Sequence, residues 1–587
     1  MISILNTESR NLRSFGWVQD SADFKKLCDV VAIFDENSEF HKSLVDDKIP
    51  SLVDEMDGRK VLIAELNKRP LKIEYGKLIG TAFTPRSKSR CNGIIQAALP
   101  GQSRKFLLDW PANNFIRWAH ALGFIKYNYE DDTFEITKNG IKLSESYNNH
   151  ISEEIKEKLI DAILSYPPAI RVLSLLSIEN SHLTKFEIGK KLGFVGQKGF
   201  TSLPQDLLIV ELVNAKNPKN KKKIRANWEG SSDKYARMIA GWLEKLGLVE
   251  KIPKKISVVR GEKTYIDKIN QAYMITGYGL RELNNSKGNS RHKRIVKNVY
   301  WELFSTKEKN KNYLRIRRSL ILKFLLENKK KVFLEDIQKY LVDNNINCSI
   351  GTISDDIKGI INIGIEIDNI GEKYICNDYI SDFSILIPNQ ELTESPLEKT
   401  KDKLREKLEF LPHEYLSLVD LAYDGSQNKI FEIKTIELFI KIFGFEGMHL
   451  GGSREPDGLI YTTELKENYG VVVDTKAYNP GYNLPINQAD EMKRYLHENQ
   501  VRDLDINSNS WWLNFEDNIS IFYYLFVSGK FIGRFQERLE NIMRTTGING
   551  AALGVENMLL CADAVMANKI TLKNIGDEMF NNEEYIY

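Results

Sequence analysis

The feature that most restricts what this chain can fold into is a repeated motif. Around Trp118 the sequence reads WAHALGFIKY and then TFEITKNGIKL; around Trp242 it reads WLEKLGLVEK and then AYMITGYGLREL. Both copies share W-x-x-x-L-G, an apolar pair, and a strand ending in I-T-x-x-G. Each predicts an amphipathic helix halted by a C-terminal glycine, Gly123 or Gly247, followed by a β-hairpin. A helix followed by a hairpin is the second half of a winged helix. In the second copy the first half stands upstream as two helices, ILSYPPAIRVLSLLS and LTKFEIGKKLGF, the latter opening at Thr184, a good N-cap residue.

A third copy diverges but keeps the order. RRSLILKFLLENKK and FLEDIQKYLVDNN predict two helices, SIGTISDDIKGIINIGI a third, and IEIDNIGEKYI a hairpin turning at Asn369-Ile370-Gly371. Three helix-turn-helix-like units in tandem point to a DNA-reading module; docking on protein is the competing use, above all for the third copy. At 587 residues the chain exceeds what one hydrophobic core organises. The expected division is 1–148, 149–288 and 289–382 for three winged-helix-like (α+β) subdomains, 383–395 (FSILIPNQELTES) for a linker, and 396–587 for an α/β domain of alternating helices and strands.

Charge follows the same division. Residues 1–390 carry 62 Lys and Arg against 48 Asp and Glu, a net +14, whereas residues 391–587 carry 20 against 32, a net −12. The basic excess peaks in 251–350, with 23 basic and 9 acidic side chains. A basic body suits a polyanion such as DNA, although a solvated basic face is the plainer explanation of charge alone. Lysine-rich NAKNPKNKKKIR (214–225) is expected to be a solvated loop. No apolar run reaches the 18 or so residues of a membrane span, Met1-Ile2-Ser3-Ile4 does not open a secretory signal, and five scattered cysteines form no C-x-x-C pair. An intracellular protein without a disulfide framework is expected.

The chemistry is concentrated in HLGGSREPDGLIYTTELKENYGVVVDTKAY. Asp457 opens one apolar strand and Asp474 ends a second, so hairpin pairing brings the two together at an edge of the sheet. Strand alternation puts Asp474 and Lys476 on one face with Thr475 pointing away. Converging carboxylates repel unless a cation lies between them, and their hard oxygens suit Mg²⁺, with Mn²⁺ able to substitute. A neighbouring ammonium orients the nucleophilic water or offsets developing charge. Such a set hydrolyses phosphodiesters, with Asp457, Asp474 and Lys476 as catalytic residues and the two aspartates as metal ligands. D-x-K triplets are common, and Asp23-Phe24-Lys25 is another; an Asp in a P-D-G turn beside a surface ion pair is the competing explanation. Glu437, on the preceding apolar helix, either supports the metal or the fold from behind or, as the plainer reading, lies on a solvated helix face.

The stretches SFGWVQ, IRWAHALGF, LTKFEIGKKLGF, NWEGSSDKYARMI, LPHEY, HLGGSREPDG, VVDTKAY, GYNLPI and QADEM-x-RY are more specific than this pattern, and run from Phe15 to the C-terminus. On them the chain resembles the type IIS restriction endonucleases of the PD-(D/E)XK superfamily. The resemblance implies recognition of an asymmetric, GGATG-like duplex site and cleavage of both strands a short fixed distance outside it. It implies transient dimerisation of the cleavage domain, with Asp490 and Arg494 at the interface. It places DNA contacts at Gln19, Arg86, Gln102 and Trp110 in the first subdomain and Glu229, Lys234 and Arg237 in the second. Asp20 and Ala226 each stand where the family has Asn, so the recognition bases are open at one or two positions. The family's third subdomain holds the nuclease domain, here expected through Arg315, Arg317 and Arg318 against the acidic C-terminal domain. A non-catalytic DNA-binding regulator with a degenerate nuclease domain is the alternative from another class.

Overall fold

The two tryptophans that mark the repeat stack on one another: Trp118 and Trp242 have ring centroids 5.0 Å apart and planes within 21°. In the computed structural model, all residues are described except 1, 9–11, 54, 83–89, 179–180, 216, 232, 262, 290–291, 293, 329 and 390–392. Trp118 belongs to the helix Asp109–Ala121 and Trp242 to Lys234–Lys245, each closed by a glycine in the left-handed region, Gly123 and Gly247. The I-T-x-x-G segments then work identically. Thr137 and Thr276 cap the helices Lys138–Ser146 and Gly277–Ser286, accepting from the backbone N–H of Gly140 and Gly279. A Cβ on those glycines would lie 2.1 Å from the Phe124 carbonyl oxygen and 1.9 Å from that of Leu248. No larger residue fits there, which is why the motif repeats.

The second unit enlarges its wing. Between the paired strands Val249–Lys251 and Ala272–Ile275 runs an inserted hairpin, Lys254–Arg260 with Lys263–Ile269. The third unit has helices Lys311–Glu327, Leu334–Asp343 and Ile350–Asn362 and a hairpin of Ile367–Ile370 with Lys373–Cys376, turning at Gly371.

Three expectations are corrected. The stretch 383–395 is not all linker: Phe383–Pro388 is a strand that pairs in parallel with Ile2–Thr7 at the other end of the chain. Residues 214–225 are not a loop, because the helix Pro218–Ser231 occupies most of them. Lysine favours a helix, and this one is anchored by buried Trp228 and by Lys221 and Arg225, 2.5 and 2.9 Å from Asp267. Arg315, Arg317 and Arg318 form no surface: all are at most 1% exposed. Arg317 and Arg318 close on Asp356 at 2.6 and 2.7 Å, and Arg315 donates to the Arg13 carbonyl and the Ser14 hydroxyl. The helix that carries them is the core of its subdomain, so its charges are neutralised inside.

The C-terminal domain is a six-stranded sheet ordered Glu446–His449, Gly458–Tyr461, Tyr469–Lys476, Ile521–Ser528, Gly550–Gly554, Glu584–Tyr585, antiparallel across the first three and parallel thereafter. Helices cover both faces. Val471 and Val473 pack with the helices Asn428–Leu438 and Val555–Met566, while Val472 packs with Ile486–Val501 and Phe535–Thr546. Among the described residues no single helix is long and apolar enough to cross a membrane.

Candidate active site and DNA-facing cleft

Gly458 pairs with Val473, so the register sets Asp457 level with Asp474 where the two strands begin to part. Gly458 is not there for a turn. A Cβ would come 2.5 Å from Ile436 Cδ1 and 3.0 Å from the Met448 carbonyl oxygen, so glycine lets the helix Asn428–Leu438 close on the strand. Asp474 and Lys476 share a face, and Lys476 Nζ lies 2.8 Å from the Asp474 carboxylate. Thr475 points to the other face, yet its amide and hydroxyl both donate to Asp457 Oδ2, at 2.7 and 2.9 Å. One oxygen of Asp457 is thereby fixed, and the carboxylate is oriented.

Electrostatics single out the pair. Burial, then the neighbouring Asp457, push the Asp474 carboxyl well above the usual carboxylate range. Burial and Glu432 raise Asp457, against the opposing pull of Lys476 and Thr475. Burial disfavours the Lys476 ammonium, but Asp474 and Asp457 outweigh it and hold its pKa above the ordinary lysine value. Two carboxylates therefore share one ammonium, a cluster short of positive charge.

Of the roles expected of it, Glu437 takes support of the fold and not a place on a solvated face. It is buried and paired with Lys434 and Lys441, the latter also 3.1 Å from Asp206 of the second subdomain. The acidic group that acts on Asp457 is Glu432, earlier on the same helix. Sequence reasoning missed Glu432 and Thr475. Thr475 was visible as the middle residue of D-x-K, but nothing local shows that a neighbouring strand's carboxylate reaches it.

Among the described residues no group of three or more His, Cys, Asp or Glu surrounds a common metal position. The donor set suited to a divalent ion is the Asp457–Asp474 pair, with the remaining positions left to water and phosphate oxygens, the usual manner of Mg²⁺ binding.

On the recognition side, Gln19, Trp110 and Lys234 line one cleft of about 430 Å³. Gln19 donates to the Tyr235 hydroxyl at 3.2 Å. Trp110 is 46% exposed. Lys234 opens its helix, and its ammonium pKa is lowered by burial and by Arg117 and Arg237, with Asp20 opposing. Arg237, within the same helix, lies 3.5 Å from Asp20. Gln102 is exposed and is not among the cleft-lining residues. Arg86 and the side chain of Glu229 lie outside the described residues; Ala226 is exposed on the lysine-rich helix. Asp490 and Arg494 do not pair with each other. Asp490 meets Lys493 at 3.0 Å and Arg494 meets Glu491 at 3.3 Å, leaving both partly open to solvent on the helix Ile486–Val501.

The cleavage-side domain is docked, and by more than the third subdomain. Arg405 and His413 both reach Asp355, each at 2.8 Å, and Asp402 accepts from the amide and hydroxyl of Ser349, the N-cap of the helix Ile350–Asn362. The second subdomain contributes Lys198 to Asp424 at 2.9 Å, Glu211 to His449 at 2.6 Å, and Arg260 of the enlarged wing to the Gly447 carbonyl. The basic partner in the third-subdomain contact is thus on the C-terminal domain, the reverse of the polarity expected.

Comparison with known proteins agrees with this architecture. Family profiles for the FokI recognition domain match residues 13–146 (subdomain 1) and 155–291 (subdomain 2), that for the FokI D3 domain matches 304–372, and that for the FokI cleavage domain matches 394–586. The chain is 46% identical over 580 residues to the type II restriction enzyme FokI of Planomicrobium okeanokoites, covering 98% of this chain and 99% of that one. It is 33% identical over 601 residues to the type II restriction enzyme StsI of Streptococcus sanguinis, covering 100% and 98%. Two solved structures, one of restriction endonuclease FokI and one of FokI bound to DNA, each superpose with a TM-score of 0.91 at 45% identity, covering 98% of this chain and 100% of theirs. With three recognition subdomains, a cleavage domain and near-complete coverage, the chain belongs to the FokI family of type II restriction endonucleases.

Proposed function

We propose that the protein binds an asymmetric, GGATG-like site in duplex DNA and hydrolyses both strands a short fixed distance to one side, using Mg²⁺ and a transient pair of cleavage domains. An intracellular setting belongs to this proposal and is supported by five free cysteines. The observation that carries the chemistry is the pairing of buried Asp474 with half-buried Asp457 around the single ammonium of Lys476. A divalent ion bound between the carboxylates supplies polarisation of the phosphodiester and a water of lowered pKa. Asp457 would offer the oxygen that Thr475 leaves free and Asp474 its carboxylate from the neighbouring strand, while Lys476 orients the attacking water or offsets the negative charge that develops on the phosphoryl oxygens.

Recognition is assigned to Gln19, Arg86, Gln102, Trp110, Glu229, Lys234 and Arg237. Arg or Lys pairs with guanine, Gln with adenine and Glu with cytosine, while phosphate contact is the lesser role open to each. Asp20 loses an amide that could pair with a base, but its carboxylate steadies Arg237, which reads in its place. Asp490 and Arg494, each satisfied within its own helix at the edge of solvent, are available to a second cleavage domain.

Incubation with a plasmid and Mg²⁺, followed by end mapping, tests the function directly. Discrete fragments, all cut at one offset from one motif and abolished by a chelator, are expected. A gel shift without products would establish the non-catalytic regulator instead.

A further inference from the structure

The basic excess of residues 251–350 was expected to act through Arg315, Arg317 and Arg318, and those three are buried. Two lysines of the same stretch do face open space. Lys307 is exposed, in the segment before the helix Lys311–Glu327, and Lys311 is half-buried at the start of that helix. Both line a cleft of about 400 Å³ whose other walls include Gln19 and Trp110 of the first subdomain. Lys307 also lines the neighbouring cleft that holds Lys234, which shares Gln19 and Trp110. We propose that Lys307 and Lys311 form a seat for one phosphate of the duplex backbone, so that the third subdomain binds DNA as well as holding the cleavage domain. The inference rests on the DNA-binding function above and adds a contact to it.

The seat carries surplus positive charge. Arg13, Arg117, Lys307 and Lys311 line the cleft against one acid, Asp109, among the described residues. Arg13 is engaged by Asp132, at 2.7 and 2.5 Å. Arg117 is held by the Trp17 carbonyl rather than by a carboxylate, and its buried Nε has no hydrogen-bond partner among the described residues. Burial, then Arg315, Lys307 and Arg13, all lower the Lys311 ammonium pKa, and no acid opposes them. Cations gathered without a carboxylate between them repel until an anion enters. The one acid of the segment, Glu308, is turned elsewhere. It accepts from the Thr306 hydroxyl at 3.1 Å, and burial and Asp420 of the cleavage domain raise its carboxyl pKa. Glu308 therefore faces the docked domain, while Lys307 beside it faces the cleft.

Position selects which anion enters. Gln19 and Trp110, assigned above to the recognition of bases, share this cleft with the two lysines, so a strand read by the first pair runs past the second. An ammonium on a flexible stem meets a phosphate oxygen as a point charge, whereas base reading favours the planar fork of arginine or an amide. A phosphate contact carries no sequence information and strengthens binding to every duplex. The plainer account, two lysines that are merely solvated, gives them no share in binding.

The test uses the full-length protein, a duplex carrying the site identified by end mapping and a second duplex without it. Binding to both is measured in a chelator across a potassium chloride series. Replacing both lysines, Lys307→Gln with Lys311→Gln, is expected to flatten the log–log salt slope by about 0.9, the contribution of one phosphate. Affinity for the two duplexes is expected to fall by the same factor, about fivefold, so that their ratio holds. Lys307→Arg with Lys311→Arg keeps the charge and is expected to keep the wild-type slope, which separates charge from folding. An unchanged slope in the glutamine variant, or a loss confined to the duplex that carries the site, would overturn the inference. Failure of the wild-type protein to bind any duplex would instead sink the function on which it rests.

Discussion

Asp356 and Asp474 are both nearly sealed from solvent, 3% and 5% exposed, yet their surroundings push them in opposite directions. Asp356 sits between two guanidinium groups, Arg317 at 2.6 Å and Arg318 at 2.7 Å. Burial favours its neutral form, but the two arginines prevail and hold the carboxyl below its ordinary range. Asp474 has one ammonium and shares it with Asp457, so burial and the second carboxylate prevail and the pKa rises. A buried acid with surplus cation is a fastener, because its charge is settled when the chain folds. One with a deficit is unfinished until a cation arrives from outside. By that criterion the central helix of the third subdomain is scaffold and the end of the strand Tyr469–Lys476 is a site.

The largest effect expected from this contrast is on turnover. Asp457→Ala or Asp474→Ala is expected to reduce cleavage by at least roughly a thousandfold, about 4 kcal/mol of transition-state stabilisation, while site binding holds and the folded state is not destabilised. Retained cutting in both variants would show that the deficit is not catalytic. Asp356→Ala is expected to do the opposite. It leaves two guanidinium groups buried without their counterion, which costs about 3–5 kcal/mol of stability, read as a lowered urea midpoint. Loss of cleavage without loss of stability in Asp356→Ala would erase the distinction between the two clusters.

Charges satisfied at the surface make a third class between these. Asp490 pairs with Lys493 and Arg494 with Glu491 on the outer side of the helix Ile486–Val501, where the Asp490 side chain is 58% exposed and holds no part of the core. Asp490→Arg is expected to leave melting and site binding within error and to slow double-strand cleavage by roughly tenfold, as expected when like charges meet at an interface. Combining it with Arg494→Asp, so that the charges are exchanged, is expected to recover part of the rate. Equal losses of binding and cutting in Asp490→Arg would remove the helix from the interface.

How much of this was legible in the sequence depends on the range of the interaction. The W-x-x-x-L-G motif announced helix and hairpin because a glycine stop acts within a few residues, whereas the caps that Thr137 and Thr276 form on the following helices were not read from I-T-x-x-G. The pairing of Asp457 with Asp474 was legible for the same reason, since a short hairpin sets its own register. What was missed depends on contacts between segments far apart in the chain. The strand Phe383–Pro388 takes its partner from residues 2–7, and the arginines near 317 look like a basic surface until their helix is seen to be central. Glu432 was passed over for Glu437 because both lie on one apolar helix, and only the packing of Asn428–Leu438 on Gly458 decides which of them is near Asp457.

The smallest effect expected is also the most direct measure of the deficit. Because the folded-state pKa of Asp474 is raised, the folded protein holds protons that the unfolded chain releases. Stability of the metal-free protein therefore falls as pH climbs from the ordinary carboxylate value through the raised one, the reverse of the usual behaviour of a paired aspartate. Asp457, Lys476, Glu432 and Glu491 are the charged groups that act on this cluster, and of these only Lys476 opposes the shift. Asp474→Asn removes one negative charge and leaves Asp457 to partner the Lys476 ammonium. Without divalent ions this variant is expected to melt about 2–4 °C above wild type near pH 7.5, the shift that roughly 1 kcal/mol produces in a domain of this size. The gain is expected to vanish near pH 4, where wild-type Asp474 is protonated and resembles the amide. Added Mg²⁺ is expected to raise the melting temperature of the wild type but not of the variant. Equal melting of the two proteins at neutral pH would mean that the carboxylates repel too little in the folded state to hold a place for a cation.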